Sequence, residues 1–353
     1  MTNRNTSWNG NRPFLLHPAC KDYLWGGRRL KDDFSKETGL TPLAETWECS
    51  THPDGPSVIA SGSEAGRTLL SVLKEHPDYI GTSPLRMPDG GLPVMVKLID
   101  AAKDLSVQVH PDDDYAAEHE NGSLGKTEMW YVVDAKPDAK LVYGFSRNMT
   151  ERLVRQSLAK GNIERYLQKV PVHKDDVFVI RPGTMHGIGA GTLVAEIQES
   201  SNVTYRVYDY DRLDKDGKKR QLHIEKALEV ADLGSAARPR QPIRTLRYRP
   251  GWASELLYRC RYFQVERILI NTERVRCMAD FRTDDKSFQI WLCVDGCGVV
   301  FEDGCTQEDG GASGLQQAEG QALRIFRGDC MFVPASSVQL KLHGKAQFLR
   351  VTC

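Results

Sequence analysis

The chain has 353 residues, 40% of them apolar and 27% charged, a composition typical of globular proteins with a substantial core. Its 47 lysines and arginines balance its 47 aspartates and glutamates, so it has neither the basic excess of a nucleic-acid-binding protein nor an acidic tail. The longest apolar stretch, at 92–99, contains Lys97 and is far shorter than the ~20 residues of a membrane span. We therefore expect neither nucleic acid nor a membrane as a partner.

The cysteines and the first residues indicate the compartment. The nine cysteines include no Cys-x-x-Cys pair, and the chain is longer and poorer in cysteine than disulfide-rich secreted domains. Residues 1–16 are mostly polar and lack the apolar region of a secretory signal. These features predict reduced thiols in a cytoplasmic protein.

The predicted secondary structure is mostly strand. A helix is expected at 67–76, where Pro77 ends it. A second is expected at 150–158, where Thr150 opens a capping box, and a further turn follows at 163–167. Runs rich in Val, Ile, Tyr and Phe between turn residues predict strands at 129–133, 140–145, 177–180, 192–197, 204–208, 263–269, 288–294 and 330–333. Many short strands with frequent turns indicate a β-sandwich or β-barrel.

A weak internal repeat relates two parts of the chain. The run Glu-Met-Trp-Tyr-Val-Val-Asp at 128–134 resembles Gln-Ile-Trp-Leu-Cys-Val-Asp at 289–295. Each run is followed by a second apolar strand, at 176–180 and at 329–333. The pattern predicts two related β-barrels, the first carrying a small helical insertion at about 145–170. Chance similarity between aromatic-rich strands is the alternative.

A stretch rich in proline and arginine, 238–250, separates the two copies and is typical of a linker. We therefore predict two domains, 1–240 and 241–353.

Three segments carry polar side chains at positions where strands begin or end. In Ser106-Val-Gln108-Val-His110, the alternate residues point to one face of a strand. Glu128 opens the first copy of the repeat, and His186 follows a Pro-Gly turn. Polar groups on a buried face are costly without partners, whereas on a solvent-facing strand they need none.

Together these segments supply two imidazoles, a carboxylate and an amide, which suit a first-row metal ion with one position left open. The spacing alone leaves the solvent-facing alternative open. Other motifs are weaker: the glycines at 122–127 lack the first glycine of a phosphate-binding loop, and no Gly-x-Ser-x-Gly elbow is present. The acidic run at 112–114 is interpreted as a solvated turn.

The motifs resemble those of type I mannose-6-phosphate isomerases in their shorter bacterial form, which belong to the cupin superfamily. The resemblance covers 13–233 and rests on motifs that occur in the family's order, namely Tyr23-Leu-Trp25-Gly26-Gly27, Glu45-Thr-Trp47-Glu48-Cys-Ser50, Gln108-Val-His110-Pro111, Gly125-Lys-Thr-Glu128-Met-Trp-Tyr131, Pro182-Gly-Thr-Met-His186 and Thr204-Tyr-Arg206-Val-Tyr-Asp-Tyr-Asp211. The C-terminal part is only generically similar.

The resemblance implies a mostly β fold of two cupin-like, jelly-roll barrels and a zinc enzyme that interconverts mannose 6-phosphate and fructose 6-phosphate. It implies one zinc per chain, held by His110, Glu128 and His186 with Gln108 as a fourth ligand. The C-terminal domain is expected to hold no metal, because Gln289 stands where the first copy has Glu128.

The remaining site residues are also implied by the resemblance. Arg206 corresponds to the family's active-site arginine, and Lys126 and Lys97 to its pocket lysines. We favour Lys126 over Glu196 as the base, because a neighbouring cation lowers the pKa of a lysine. The expected substrate-binding residues are Ser106, Lys97 and Glu196. Asn202 departs from the family's aspartate, so no acid–base role is expected there.

Two alternatives stay open. One is a metal cupin that binds a sugar phosphate without catalysis, and the other is a cupin of different chemistry, such as an iron oxygenase. The predicted partner is a small-molecule sugar phosphate, and the sequence leaves the oligomeric state open.

Overall fold

The computed structural model describes residues 11–214, 216–275, 277–302 and 322–353. Within these ranges the secondary structure is dominated by β-strands, so the predicted mostly β class is confirmed. The strands are β1 (Phe14–His17), β2 (Ala19–Lys21), β3 (Glu45–Cys49), β4 (Val58–Ile59), β5 (Val94–Ala101), β6 (Val107–Val109), β7 (Glu128–Ala135), β8 (Lys140–Phe145), β9 (Leu167–Pro171), β10 (Val177–Ile180), β11 (His186–Gly187), β12 (Thr192–Glu199), β13 (Tyr205–Tyr208), β14 (Arg247–Arg249), β15 (Trp252–Arg259), β16 (Gln264–Asn271), β17 (Ala279–Phe281), β18 (Gln289–Glu302), β19 (Ala322–Phe326), β20 (Cys330–Val333) and β21 (Leu340–Thr352).

The helices are short. They are α1 (Arg29–Asp32), α2 (Leu69–Glu75), α3 (Asp113–His119), α4 (Glu151–Ala159), α5 (Ile224–Val230) and the 3-10 turns Pro77–Ile80 and Ile163–Arg165. In the described ranges, none of them is long and apolar enough to cross a membrane.

The helix starts follow from capping side chains. The predicted helix at 150–158 is confirmed as α4, and the Thr150 hydroxyl accepts a hydrogen bond from the Leu153 amide at 3.3 Å. The acidic run at 112–114 is not a solvated turn, because Asp112 accepts a hydrogen bond from the Tyr115 amide and starts α3. The sequence interpretation missed the cap because Asp suits turns and N-caps equally well.

The chain folds into two compact units built from separated segments. The terminal unit contains 57–93 and the described parts of 1–17 and 244–353, and the central unit contains 18–56 and 94–243. The predicted domain boundary near 240 lies close to 243–244, where the chain leaves the central unit and enters the terminal unit.

The contiguous domains 1–240 and 241–353 nevertheless differ from these units. Strand β1 pairs antiparallel with β20, with Phe14 opposite Phe332, and β4 in turn pairs with β1. Backbone hydrogen bonds of a sheet connect residues that are distant in sequence, so the N-terminal strand is part of the C-terminal sheet.

Two antiparallel sheets form the central unit. One has the strand order β10-β7-β12-β5-β3-β2, and the other has the order β13-β6-β11-β8-β9. Every residue of β5 and β12 is buried, which explains the continuous apolar run at 92–99. A core cluster that includes Ile99, Trp130, Phe178 and Ile188 lies beneath the site described below.

The terminal unit has a ten-stranded sheet, and its register agrees with the internal repeat. Glu128 lies opposite Ile180 in the pair β7–β10, and Gln289 lies opposite Val333 in the pair β18–β20. Both strands place a tryptophan two residues later, whose indole nitrogen donates to the Glu128 or Gln289 side chain at 2.9 Å. The two copies therefore share a local structure as well as a sequence pattern.

Candidate metal centre and active-site cavity

The centre of the central unit holds three side chains whose ligand atoms converge. Those of His110, Glu128 and His186 all lie within 4.8 Å of one another, and in the described ranges they form the one group of this kind. The Nε2 atom of His110 lies 3.0 Å from Glu128 Oε1, and Nε2 of His186 lies 3.9 Å from Glu128 Oε2. All three residues are buried. The predicted ligands are thus brought together.

The two sheets supply these residues from opposite sides. Glu128 opens β7 of the six-stranded sheet, whereas His110 directly follows β6 and His186 opens β11 of the five-stranded sheet. His186 lies opposite Gln108 in the pair β6–β11, so neighbouring strands present both side chains at one level. His110 and Glu128 are 18 positions apart and Glu128 and His186 are 58 positions apart, and they meet because the strands align them.

Both imidazoles are held in the neutral form that binds metals. Burial lowers the pKa of His110 to about 3, with a further contribution from the Lys126 ammonium, and burial also lowers the pKa of His186. The Nδ1 atom of His186 lies 2.8 Å from the Thr184 carbonyl. As the donor to that carbonyl, Nδ1 carries the proton, so Nε2 presents its lone pair to the site.

Glu128 is ionised in this setting. Burial alone would raise its pKa, but Lys126 and then His110 outweigh burial and hold the pKa well below its usual range. Lys126 Nζ lies 2.8 Å from Glu128 Oε1, and Trp130 Nε1 donates to Oε2 at 2.9 Å.

The donor set fits a divalent metal ion. Two buried polar atoms, Glu128 Oε1 and His110 Nδ1, have no partner in hydrogen-bond geometry among the described residues, although Oε1 has charged neighbours nearby. A buried carboxylate whose two oxygens each face one imidazole nitrogen is an arrangement that a metal ion satisfies. Gln108 Nε2 lies 3.4 Å from His186 Nε2, and rotating the amide would turn its carbonyl oxygen towards the same point.

A cavity of about 270 Å³ adjoins this group. Its lining includes all the predicted site residues outside the three converging ligands, together with residues to which the sequence assigned no role; the polar ones are Tyr23, Glu45, Lys97, Ser106, Gln108, Lys126, Glu196, Asn202, Thr204, Arg206 and Arg220. Trp25, Ile99, Leu105, Trp130 and Ile188 form its apolar part. A concave site with convergent polar groups beside an apolar part suits a polar small molecule.

The lysines of the cavity are paired with carboxylates. Lys97 Nζ lies 3.5 Å from Glu196 and 4.0 Å from Glu45. Burial, and next the charge of Glu128, raises the pKa of Glu196 to about 7. Burial acts to lower the pKa of Lys126, but the charge of Glu128 and then that of Glu196 raise it above its usual value. The lowering expected from a neighbouring cation stays a prediction.

Arg206 reaches the cavity from β13. It lies opposite Gln108 in the pair β6–β13, its Nε donates to Ser106 Oγ at 3.3 Å, and its Nη1 donates to the Gln221 carbonyl at 2.9 Å. Among the described residues it forms no ion pair, because Asp209 and Asp211 pair with other cations.

Sequence reasoning assigned no role to several lining residues, among them Tyr23, Trp25, Glu45 and Arg220. Tyr23, Trp25 and Glu45 lie in motifs that carried the family resemblance, and that resemblance was the available signal. Arg220 had none, because its loop folds back only in the tertiary structure.

Comparisons with known proteins relate the chain to isomerases. The sequence model of the phosphomannose isomerase type I catalytic domain matches residues 14–149. The chain is 47% identical over 219 residues to a probable mannose-6-phosphate isomerase of Bacillus subtilis, covering 62% of this chain and 68% of that protein. It is 42% identical over 225 residues to mannose-6-phosphate isomerase of Streptococcus mutans, covering 64% and 69%. The crystal structure of mannose 6-phosphate isomerase from Bacillus subtilis matches with a TM-score of 0.83 at 31% identity, covering 96% of this chain and 99% of that chain.

The first prediction concerns metal content. We expect one divalent metal per chain in the wild type and none in His110→Ala, because the variant loses a ligand and the terminal unit has Gln289 at the position of Glu128. Elemental analysis of both proteins measures this, with His119→Ala as a matched control because His119 is exposed at the end of α3. Metal retained by His110→Ala would contradict the ligand assignment, or place a metal in the terminal unit.

Proposed function

Because this chain belongs to the type I mannose-6-phosphate isomerase family, we propose that it interconverts mannose 6-phosphate and fructose 6-phosphate. The observation that carries the proposal is the buried group of His110, Glu128 and His186 beside a polar cavity in the central unit. The substrate is thus a small sugar phosphate.

The proposed metal is zinc, one ion per chain. Two neutral imidazoles and one carboxylate are the usual protein ligands of catalytic zinc, with Gln108 as the proposed fourth ligand. When bound, the ion would polarise the sugar oxygens as a Lewis acid. A cytoplasmic location, expected from the cysteine pattern, is part of the same proposal.

Within the observed mostly β class, a more specific architecture can be proposed. We propose that the two sheets of the central unit close into a cupin-like jelly-roll barrel around the cavity, and that the terminal unit is a second such barrel without a metal. The strands of both units pair antiparallel throughout the described ranges, and the two copies share their register. The catalytic role predicted for 1–240 would then belong to the central unit.

The reaction requires movement of a proton between C1 and C2 of the sugar, while negative charge develops on O1 and O2. Arg206 is the proposed stabiliser of that charge, since its guanidinium lines the cavity beside Gln108 without a competing carboxylate. In a site closed to water, such stabilisation is strong. Ser106, Lys97 and Glu196 are the proposed substrate-binding residues, and all three line the cavity.

Lys126 is the proposed base. Its ammonium lies 2.8 Å from Glu128 in this structure, which favours the protonated form. Ligation of a divalent cation by Glu128 would engage that carboxylate and repel the ammonium, so deprotonation would become easier. Glu196 then binds a sugar hydroxyl.

We expect mannose 6-phosphate to be isomerised by the purified wild type and not after chelation, with zinc restoring the rate. A coupled assay of fructose 6-phosphate formation measures all three states. A protein that binds the sugar phosphate but never turns it over would favour the non-catalytic alternative, and a requirement for iron and oxygen would favour an oxygenase.

Solvent isotope exchange distinguishes the proposed roles of Lys126 and Glu196. Lys126→Met should abolish incorporation of solvent deuterium into the product, because the proton carrier is gone. Glu196→Gln should raise KM and keep the exchange. Mass spectrometry of product formed in D₂O measures both, with metal content as the control for an intact site. Exchange lost in Glu196→Gln but kept in Lys126→Met would reverse the two roles.

Replacing Arg206 should affect turnover more than binding. Arg206→Ala should lower kcat by ~10²–10³, the usual cost of losing a preorganised charged donor, and change KM modestly with the metal retained. Arg206→Lys should recover only part of the rate, because an ammonium lacks the planar fork. Steady-state kinetics measure this against Arg152→Ala, an exposed arginine of α4. A near-native kcat in Arg206→Ala would refute the catalytic role.

A further inference from the structure

The charges around the cavity are unevenly distributed. At the metal-binding end, Lys97 and Lys126 are matched by carboxylates, since Lys97 lies within 4.0 Å of Glu45 and Glu196, and Lys126 lies 2.8 Å from Glu128. These lysines therefore have little uncompensated charge to offer a phosphate dianion. The other end of the cavity is formed by arginines.

Two guanidinium groups, those of Arg212 and Arg220, pair with the buried carboxylate of Asp209, and Arg206 lies near them; of the three arginines, Arg206 and Arg220 line the cavity. Arg212 Nη2 lies 2.5 Å from Asp209 Oδ1, and Arg220 pairs with the same carboxylate. Arg206 is close enough that Arg220, after burial, is the main cause that lowers its pKa. Among the described residues Arg206 has no ion pair of its own, so the cluster of Arg206, Arg212 and Arg220 carries more positive charge than Asp209 can neutralise.

Arg220 is held in a fixed orientation that leaves part of its guanidinium available. Its Nε donates to Asp209 Oδ2 at 2.8 Å and its Nη2 donates to Oδ1 at 2.5 Å, a bidentate arrangement. Its guanidinium also lies over the Trp25 ring, 5.1 Å from the centroid. In the described part of the chain, its Nη1 has no hydrogen-bond partner, and the residue lines the cavity. This side chain is preorganised to bind an anion.

The loop geometry explains why Arg220 returns to Asp209. Directly after Asp209, Tyr210 and Asp211 adopt left-handed backbone conformations with φ of 57° and 54°, which reverse the chain. At the far end of the loop, the His223 amide donates to the Arg206 carbonyl at 2.7 Å and the Arg206 amide donates to His223 Nδ1 at 3.1 Å. The left-handed tyrosine is a local cost that the rest of the loop must offset.

We propose that Arg220 binds the phosphate group of the sugar-phosphate substrate, and that Asp209 positions it. The proposal rests on the proposed function and assigns the phosphate to the arginine end of the cavity, next to Ser106, whose hydroxyl already contacts Arg206. Lys97 then contacts the sugar. A dianion matches the excess charge of the cluster, and a guanidinium matches the geometry of a phosphate.

Binding of inorganic phosphate tests this site without turnover. Titration calorimetry of the full-length holoprotein should show phosphate binding that Arg220→Gln weakens roughly 10- to 100-fold, the range for removal of one charged hydrogen-bond donor. Lys219→Gln is the matched control, because it removes the same charge at the neighbouring position. The Lys219 side chain is exposed and pairs with Asp211. This substitution should change the affinity less than about twofold. Unchanged affinity in Arg220→Gln, or equal weakening in both variants, would overturn the proposal.

Kinetics give a second readout and separate the roles. Arg220→Gln and Asp209→Asn should raise KM for mannose 6-phosphate by a similar factor and lower kcat much less, because the lost contact lies at the phosphate and not at the reacting carbons. Arg220→Lys keeps the charge and should recover part of the affinity, which shows that any loss in Arg220→Gln is not a folding defect. A loss of kcat at unchanged KM would overturn the phosphate role. Absence of isomerase activity in the wild type would instead overturn the proposed function, while phosphate binding would still report on Arg220.

Discussion

The burial of the Glu128 carboxylate is the constraint on which the rest of the site depends. A charge removed from water is tolerated only where opposite charge and hydrogen-bond donors surround it. Lys126 provides the charge, and the Trp130 indole provides a donor that it shares with Glu196 at 2.9 Å. These requirements fix the start of β7 and the positions of the two histidines that face it. The proposed metal ion would add a further positive charge beside the same carboxylate.

The same electrostatic logic divides the cavity into two ends. Near the proposed metal, the lysines are paired with carboxylates. At the other end, the arginines carry more positive charge than Asp209 neutralises. A sugar phosphate is itself divided into a hydroxyl-rich part and a dianion. In the proposed binding mode the cavity would orient this ligand by charge, and contacts to the remote phosphate would help to position the reacting carbons. Arg206 lies between the two ends because β13 pairs with the strand that carries Gln108.

The terminal unit shows what the same strand pattern becomes without the carboxylate. Register places Glu196 opposite Lys97 and Trp130 in the central unit, and Arg350 opposite Glu266 and Trp291 in the terminal unit. The ion pair is thus retained with its charges exchanged, since Arg350 lies 2.5 Å from Glu266. With Gln289 at the position of Glu128, the buried tryptophan still has its acceptor, but the carboxylate of the proposed metal site is replaced by an amide.

The sequence by itself determined the strand-rich class and helix α4, because side-chain periodicity and capping act over short distances. Its motifs, through the family resemblance, also pointed to the three residues that converge in the structure. Only the tertiary structure decided that β1 joins the C-terminal sheet and that Arg220 reaches the cavity. Both depend on long-range pairing, through backbone hydrogen bonds in one case and a shared buried aspartate in the other. No local pattern encodes which distant partner satisfies a strand edge or a carboxylate, since that choice belongs to the folded chain as a whole.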